Sequence, residues 1–175
     1  MVEETKETAK ETAAEAGARL MEEYQKMQVA DQDGLEYIAS TAQAIAYERM
    51  LESKREDRFF NDHLAEHFVG ERGERISKFI NESLGAHFQI PNVHIAYTAC
   101  RTKLINDHID KWVTTTEAAG SKMQVTNLGC GVDTRAYWLD SLQKVERYVE
   151  VDVETINNFK AKKLGELQAE PKCQR

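Results

Sequence analysis

The stretch Val125-Thr126-Asn127-Leu128-Gly129-Cys130-Gly131-Val132-Asp133-Thr134-Arg135 constrains this chain more than any other. A short apolar run ends on two glycines one residue apart, and a helix-compatible segment follows. Gly129 and Gly131 lack a Cβ, so the backbone can turn sharply there and a ligand can approach the main chain closely. Amides at the start of a following helix would face the same space and favour electron-rich groups. About one βα unit later, Tyr148-Val149-Glu150-Val151-Asp152 reads as a second strand ending in a carboxylate. A Gly-x-Gly turn with an acid at that distance is the adenosine-binding arrangement of Rossmann-like folds, in which the acid meets the ribose hydroxyls. A lone Gly-x-Gly also punctuates many ordinary loops, so it is the flanking strands that give the pair its weight. Thr134 stands where dinucleotide-binding turns place a third small residue. That favours S-adenosyl-L-methionine, which has no pyrophosphate to seat.

The rest of the chain is read around this turn. Residues 1–30 hold the near-repeat Glu-Thr-Ala-Lys-Glu-Thr-Ala-Ala-Glu-Ala, with little apolar surface. They predict an acidic tail, partly disordered or helical. Residues 31–120 predict a helical cap. Its first helix runs from Leu35 to about Leu51, with Ile38, Ala42, Ile45, Ala46, Arg49 and Met50 on one face. A short helix follows from Asn61. A third, carrying Ile76, Phe79, Ile80, Ser83 and Leu84, closes at Gly85. The fourth spans roughly 92 to 116, with Val93, Tyr97, Cys100, Leu104, His108 and Trp112 at steps of three and four. Residues 121–175 predict βαβα: a strand from Met123 to Leu128, a crossover helix from Asp133 to Leu139, a strand from Val145 to Val151, and a helix from Glu154 to Gln168. On that last helix Lys160, Lys162 and Lys163 read as a solvated face. Two parallel strands form a poor sheet, since such strands are normally covered on both faces. The expectation is therefore a truncated α/β fold.

Composition removes several classes of function. A net charge of −7 argues against a nucleic-acid partner, and no apolar run is long enough for a membrane span. The N-terminus lacks the apolar core of a secretory signal, and three scattered cysteines give neither a disulfide framework nor a zinc site, so a cytoplasmic location is expected. His63-Leu64-Ala65-Glu66-His67 spells the inverted zinc-protease pattern, but no third ligand is evident and no metal is assigned. The oligomeric state is left open.

Several segments also carry a family resemblance. Val125 to Tyr137 resembles the "V-x-N-L-G-A-G-L-D-T-R-A-Y" segment of the leucine carboxyl methyltransferase family. That family groups protein phosphatase 2A carboxyl methyltransferases with tetracenomycin-type O-methyltransferases. Thr41 to Arg49 and Arg58 to Ala65 resemble its "T-A-x-x-x-A-x-x-R" and "R-x-F-x-D-P-L-A" pieces. Arg101 to Asp107 resembles its "R-T-x-x-I-D-D" helix, and Glu150-Val151-Asp152 its "E-V-D". His63 replaces the usual proline, and Cys130 replaces a small residue between the glycines.

The resemblance implies a Rossmann-like S-adenosylmethionine-dependent methyltransferase fold with an N-terminal helical cap. It implies that Gly129 and Gly131 border the cofactor, that Asp152 accepts from both ribose hydroxyls, and that Arg101 pairs with the cofactor carboxylate. Without the resemblance, Arg101 reads as a solvated charge on an amphipathic helix. Arg49 matches a second basic position near the cofactor or substrate. Asp133 reads equally well as a cap on the crossover helix. The implied reaction is methylation of a carboxylate, on a small molecule or a protein C-terminus, with no general base needed because a carboxylate is already ionised at neutral pH. No catalytic residue is assigned. The alternative is an incomplete or non-catalytic fragment that at most binds the cofactor weakly.

Overall fold

A computed structural model describes residues 34–174 continuously and, before them, only Glu15, Ala18, Arg19, Glu22 and Gln25, all helical. The expectation for the tail otherwise lies outside the described residues. Helix α1 (Gly34–Ser53) leads to a 3-10 turn (Ala65–Phe68), then α2 (Glu71–Phe88) and α3 (Val93–Ala118). Strand β1 (Gln124–Leu128), a single turn α4 (Arg135–Trp138), a 3-10 segment (Asp140–Lys144), strand β2 (Arg147–Val151) and helix α5 (Glu154–Glu166) complete the order.

Helix α1 is the hub of the N-terminal helices. From Ser40 to Ser53 none of its residues is fully exposed, and several buried ones are polar: Ser40, Glu48, Arg49 and Glu52. An apolar stripe therefore describes this helix poorly, because it is enclosed on all sides. Helix α2 approaches it closely at Gly73, where an added Cβ would fall 2.5 Å from the Gln43 Cβ. Glu48 sits at the junction of α1, α2 and α3. Its carboxylate accepts from Ser77 Oγ at 2.7 Å, Asn81 Nδ2 at 3.1 Å and Thr98 Oγ1 at 2.5 Å. His94 Nδ1 lies 2.9 Å from the same group, which places its proton on that nitrogen. Asn81 also accepts from the His94 and Ile95 amides, at 3.1 and 3.0 Å. A side chain of α2 thus supplies the acceptors that the first turn of α3 needs.

Two expectations for the cap are corrected. Helix α2 does not close at Gly85; it continues to Phe88 and ends on Gln89 in the left-handed conformation, φ 56°. In α3 the buried side is Thr98, Ala99, Thr102, Asn106 and Val113. The periodic stripe faces outward instead, with Tyr97 55% and Leu104 68% exposed. Polar partners from α1, α2 and α4 decide which face turns inward, and those bonds are invisible to hydrophobic spacing.

The strands pair in parallel, with Val125 opposite Tyr148 and Leu128 opposite Val151. Tyr148 is buried in a core with Phe68, Val113, Met123, Ala136, Leu142, Val145 and Leu164. The opposite face of β1 is exposed at Gln124, Thr126 and Leu128. Gln174 bridges to Arg147 on the far side of β2, and its carbonyl accepts from the Tyr148 amide at 2.7 Å. Lys160 is not part of a solvated face. It is fully buried and pairs with Glu150 of β2, tying α5 to the sheet. The crossover helix is also shorter than expected, a single turn followed by 3-10 structure.

Candidate functional site

Beyond the carboxyl ends of β1 and β2 lies a cavity of about 440 Å³. All five residues singled out from the sequence line it: Gly129, Gly131 and Asp152 on the turn and strand end, Arg101 on α3 and Arg49 on α1. This is where open parallel α/β sheets place their ligands. A larger cavity of about 580 Å³ lies between α1 and α2, lined by Tyr47, Lys78 and Ile95, but none of those five residues lines it.

The turn is built by its own hydrogen bonds. Gly129 and Gly131 take positive φ, 63° and 51°, a conformation that a side chain would strain. The Gly129 and Cys130 amides both donate to the Val151 carbonyl, at 2.8 and 3.2 Å. The Gly131 amide donates to Asp152 Oδ2 at 2.7 Å, and the Val153 amide to Oδ1 at 2.8 Å. Each Asp152 oxygen therefore has one lone pair used and another available. The Asp133 amide closes the turn onto the Cys130 carbonyl at 3.0 Å.

These bonds correct the expectation that helix-start amides would face the ligand. The helix is only one turn long, and the Gly129, Cys130, Gly131, Asp133 and Arg135 amides are committed within the fold. What the cavity presents is carboxylate (Asp133, Asp152) on one side and guanidinium on the other. Such a set suits a ligand carrying both signs of charge better than a pyrophosphate.

Asp133 is occupied structurally. Its Oδ1 accepts from the Arg135 amide at 2.8 Å, and its Oδ2 takes the Arg135 guanidinium at 2.5 Å and Asn127 Nδ2 at 3.2 Å. Burial pushes its carboxyl up, yet the Arg135 and Arg49 cations together with the Arg135 amide outweigh it, and the group lies below the ordinary carboxylate range. Asn127 bonds to the Tyr148 hydroxyl as well, at 3.1 Å. That phenol is driven far above its usual range, first by burial and then by Asp133.

Arg101 is exposed and stands over the Tyr97 ring at 5.4 Å, and among the described residues no carboxylate pairs with it. Its helix is fixed in register by Asn106, whose Oδ1 accepts from Arg135 Nε at 2.7 Å. Arg49 differs. It is buried, with Nε committed to Asp62 at 2.9 Å and Nη2 to the Val132 carbonyl at 2.7 Å. Sequence reasoning missed Asp62, Asn106, Asn127 and Arg135. Their polarity within short helical or strand segments gave no hint that they are buried partners.

His63, before the 3-10 turn, and Glu66 and His67, within it, are exposed, and among the described residues no group of three His, Cys, Asp or Glu side chains could hold a metal. Of the thiols, Cys100 is exposed, whereas Cys130 is buried in the cavity wall and its thiol is pushed up by that burial. A disulfide reagent is therefore expected to modify Cys100 rapidly and Cys130 slowly. A ligand in the cavity should slow Cys130 further and leave Cys100 unchanged. Timed mass spectrometry of the labelled protein reads both.

A two-stranded parallel sheet with a cavity at its carboxyl edge, packed with N-terminal helices, defines a mixed α/β protein. The sequence profile of the leucine carboxyl methyltransferase family matches residues 42–175, and the chain belongs to that family. A Parafrankia sp. (strain EAN1pec) protein is 32% identical over 138 residues, covering 79% of this chain and 43% of the relative. A Mycobacterium tuberculosis (strain ATCC 25618 / H37Rv) protein is 32% identical over 149 residues, covering 79% and 40%. A Streptomyces coelicolor protein is 33% identical over 149 residues, covering 82% and 47%. All three are provisionally named as S-adenosyl-L-methionine-dependent methyltransferases. The chain thus spans slightly less than half the length of these curated relatives.

Proposed function

We propose that the cavity binds S-adenosyl-L-methionine in a Rossmann-like arrangement, and that the chain carries the cofactor end of an O-methyltransferase acting on a carboxylate. The observation that carries this reading is Asp152, held at the end of β2 by the Gly131 amide with a lone pair left on each oxygen. Such an acid can accept from two neighbouring hydroxyls of a ribose. A Cβ at Gly129 would meet nothing within 4 Å, so the turn opens onto free space on that side. Arg101 supplies a planar cation for bidentate capture of an α-carboxylate. Arg49 supports the site from behind, because two of its donors are spent within the protein.

When bound, S-adenosylmethionine supplies an electrophilic methyl group on a sulfonium. The protein's part is positional. Asp152 and Arg101 hold the two ends of the ligand, and the glycine turn lets it lie against the main chain. A carboxylate acceptor arrives already ionised, so orientation rather than proton removal is what the site must provide. The helices before residue 120 form the cap over this site, and residues 121–174 form its floor.

A methyl-labelled cofactor tests the reaction class. Incubated with the protein and carboxylic acid acceptors, it should yield label that mild base releases as volatile methanol, as an ester does. Base-stable label would instead indicate an ether or amine acceptor and overturn the carboxylate assignment. A second reading is favoured by one observation: one face of β1 is exposed, and the match covers only 43% of a relative's length. On that reading the chain binds the cofactor without turnover, and no label is transferred to any acceptor.

A further inference from the structure

Asp62 lies outside the cavity, yet it is among the most completely buried charges near it, 2% exposed. Its Oδ2 takes Arg49 Nε at 2.9 Å, and its Oδ1 takes the Thr134 hydroxyl at 2.6 Å. Its own amide donates to Ser53 Oγ at 2.9 Å, which locks the loop to the end of α1. Arg49 then reaches past Asp62 to the Val132 carbonyl at 2.7 Å. The peptide between Val132 and Asp133 is therefore held at both ends, its oxygen by Arg49 and its N–H by the Cys130 carbonyl.

That peptide lies one residue beyond Gly131, whose amide positions Asp152. We infer that Asp62 is a positioning residue for the cofactor turn: acting through Arg49 and Thr134, it holds the Gly131–Asp133 backbone in the geometry that aims Asp152 at its ligand. This extends the cofactor reading given above and rests on it. The physical reason for a carboxylate here is specific. Arg49 buried without a counter-charge would be costly, and an acceptor with two oxygens can bind the guanidinium and the Thr134 hydroxyl together. Thr134 is fully buried and its hydroxyl is spent on Asp62, which accounts for a β-branched polar residue inside a turn where a small one would pack more easily.

The test is Asp62→Asn, which keeps an acceptor for Thr134 but removes the negative charge that faces Arg49. Thr134→Val, which removes only the hydroxyl, serves as the second variant in case the first fails to fold. Two readouts are taken: amide hydrogen exchange resolved by segment, and calorimetric affinity for S-adenosylmethionine. Positioning predicts selectively faster exchange over residues 130–134, with exchange in α2 and α5 unchanged, and about tenfold weaker binding, as outer partners of a binding site typically give. Uniformly faster exchange through the whole protein, or unchanged exchange at the turn with unchanged affinity, would overturn the assignment. If the unaltered protein binds no S-adenosylmethionine, the cofactor reading fails, while the exchange pattern still reports whether Asp62 holds the turn.

Discussion

Glu48→Ala is expected to lower stability by about 3–5 kcal/mol, read as a fall in the urea midpoint with little change in slope. The size follows from what the carboxylate leaves behind. Ser77, Asn81, His94 and Thr98 all direct donors at it from α2 and α3. A buried donor stripped of its acceptor costs about 1–3 kcal/mol, and a methyl group in place of the carboxylate also leaves a void. Glu48→Gln has nearly the same shape and keeps one acceptor oxygen, so it should fall between the alanine variant and the unaltered protein. If both variants unfold at the unaltered midpoint, helices α1, α2 and α3 are held by something other than this cluster.

The largest functional effect is expected at Asp152, where alanine should weaken S-adenosylmethionine binding about 100-fold. Hydrogen bonds to a charged acceptor contribute about 1.5–3 kcal/mol each, and 1.4 kcal/mol is a factor of ten in affinity. Two ribose hydroxyls on one carboxylate therefore account for about two orders of magnitude. Stability should change less than affinity, because Asp152 is only half-buried and its two amide donors lie where water can replace it.

The parts of this molecule that were legible in the sequence are those governed by backbone chemistry. Two glycines at the end of an apolar run require a turn, and they take positive φ. Val125–Leu128 and Tyr148–Val151 are β-rich runs at βαβ spacing, and they pair in parallel register. What spacing could not show is which polar side chains go inside. Lys160 looks like one of three surface lysines until Glu150 is placed beside it. Leu104 and Tyr97 fit an inward stripe, but Thr98, Thr102 and Asn106 on the other side of the same helix hold the buried positions.

The same limit shaped the site. Arg49 falls on a motif and lines the cavity. Its donors to Asp62 and Val132 are long-range bonds that no local pattern encodes. The Asp-Thr-Arg run after the glycines is likewise a set of three anchors: Asp133 holds Arg135, Thr134 holds Asp62, and Arg135 holds Asn106. A turn recognised first by its glycines is fixed in place by these neighbours.

Calorimetric titration of S-adenosylmethionine into the protein and into Asp152→Ala, side by side, tests the proposed cofactor site. A single saturable site is expected in the unaltered protein and about 100-fold weaker binding in the variant, with both unfolding at similar urea midpoints. Equal affinity in the two proteins, or no binding by the folded unaltered protein, would contradict it.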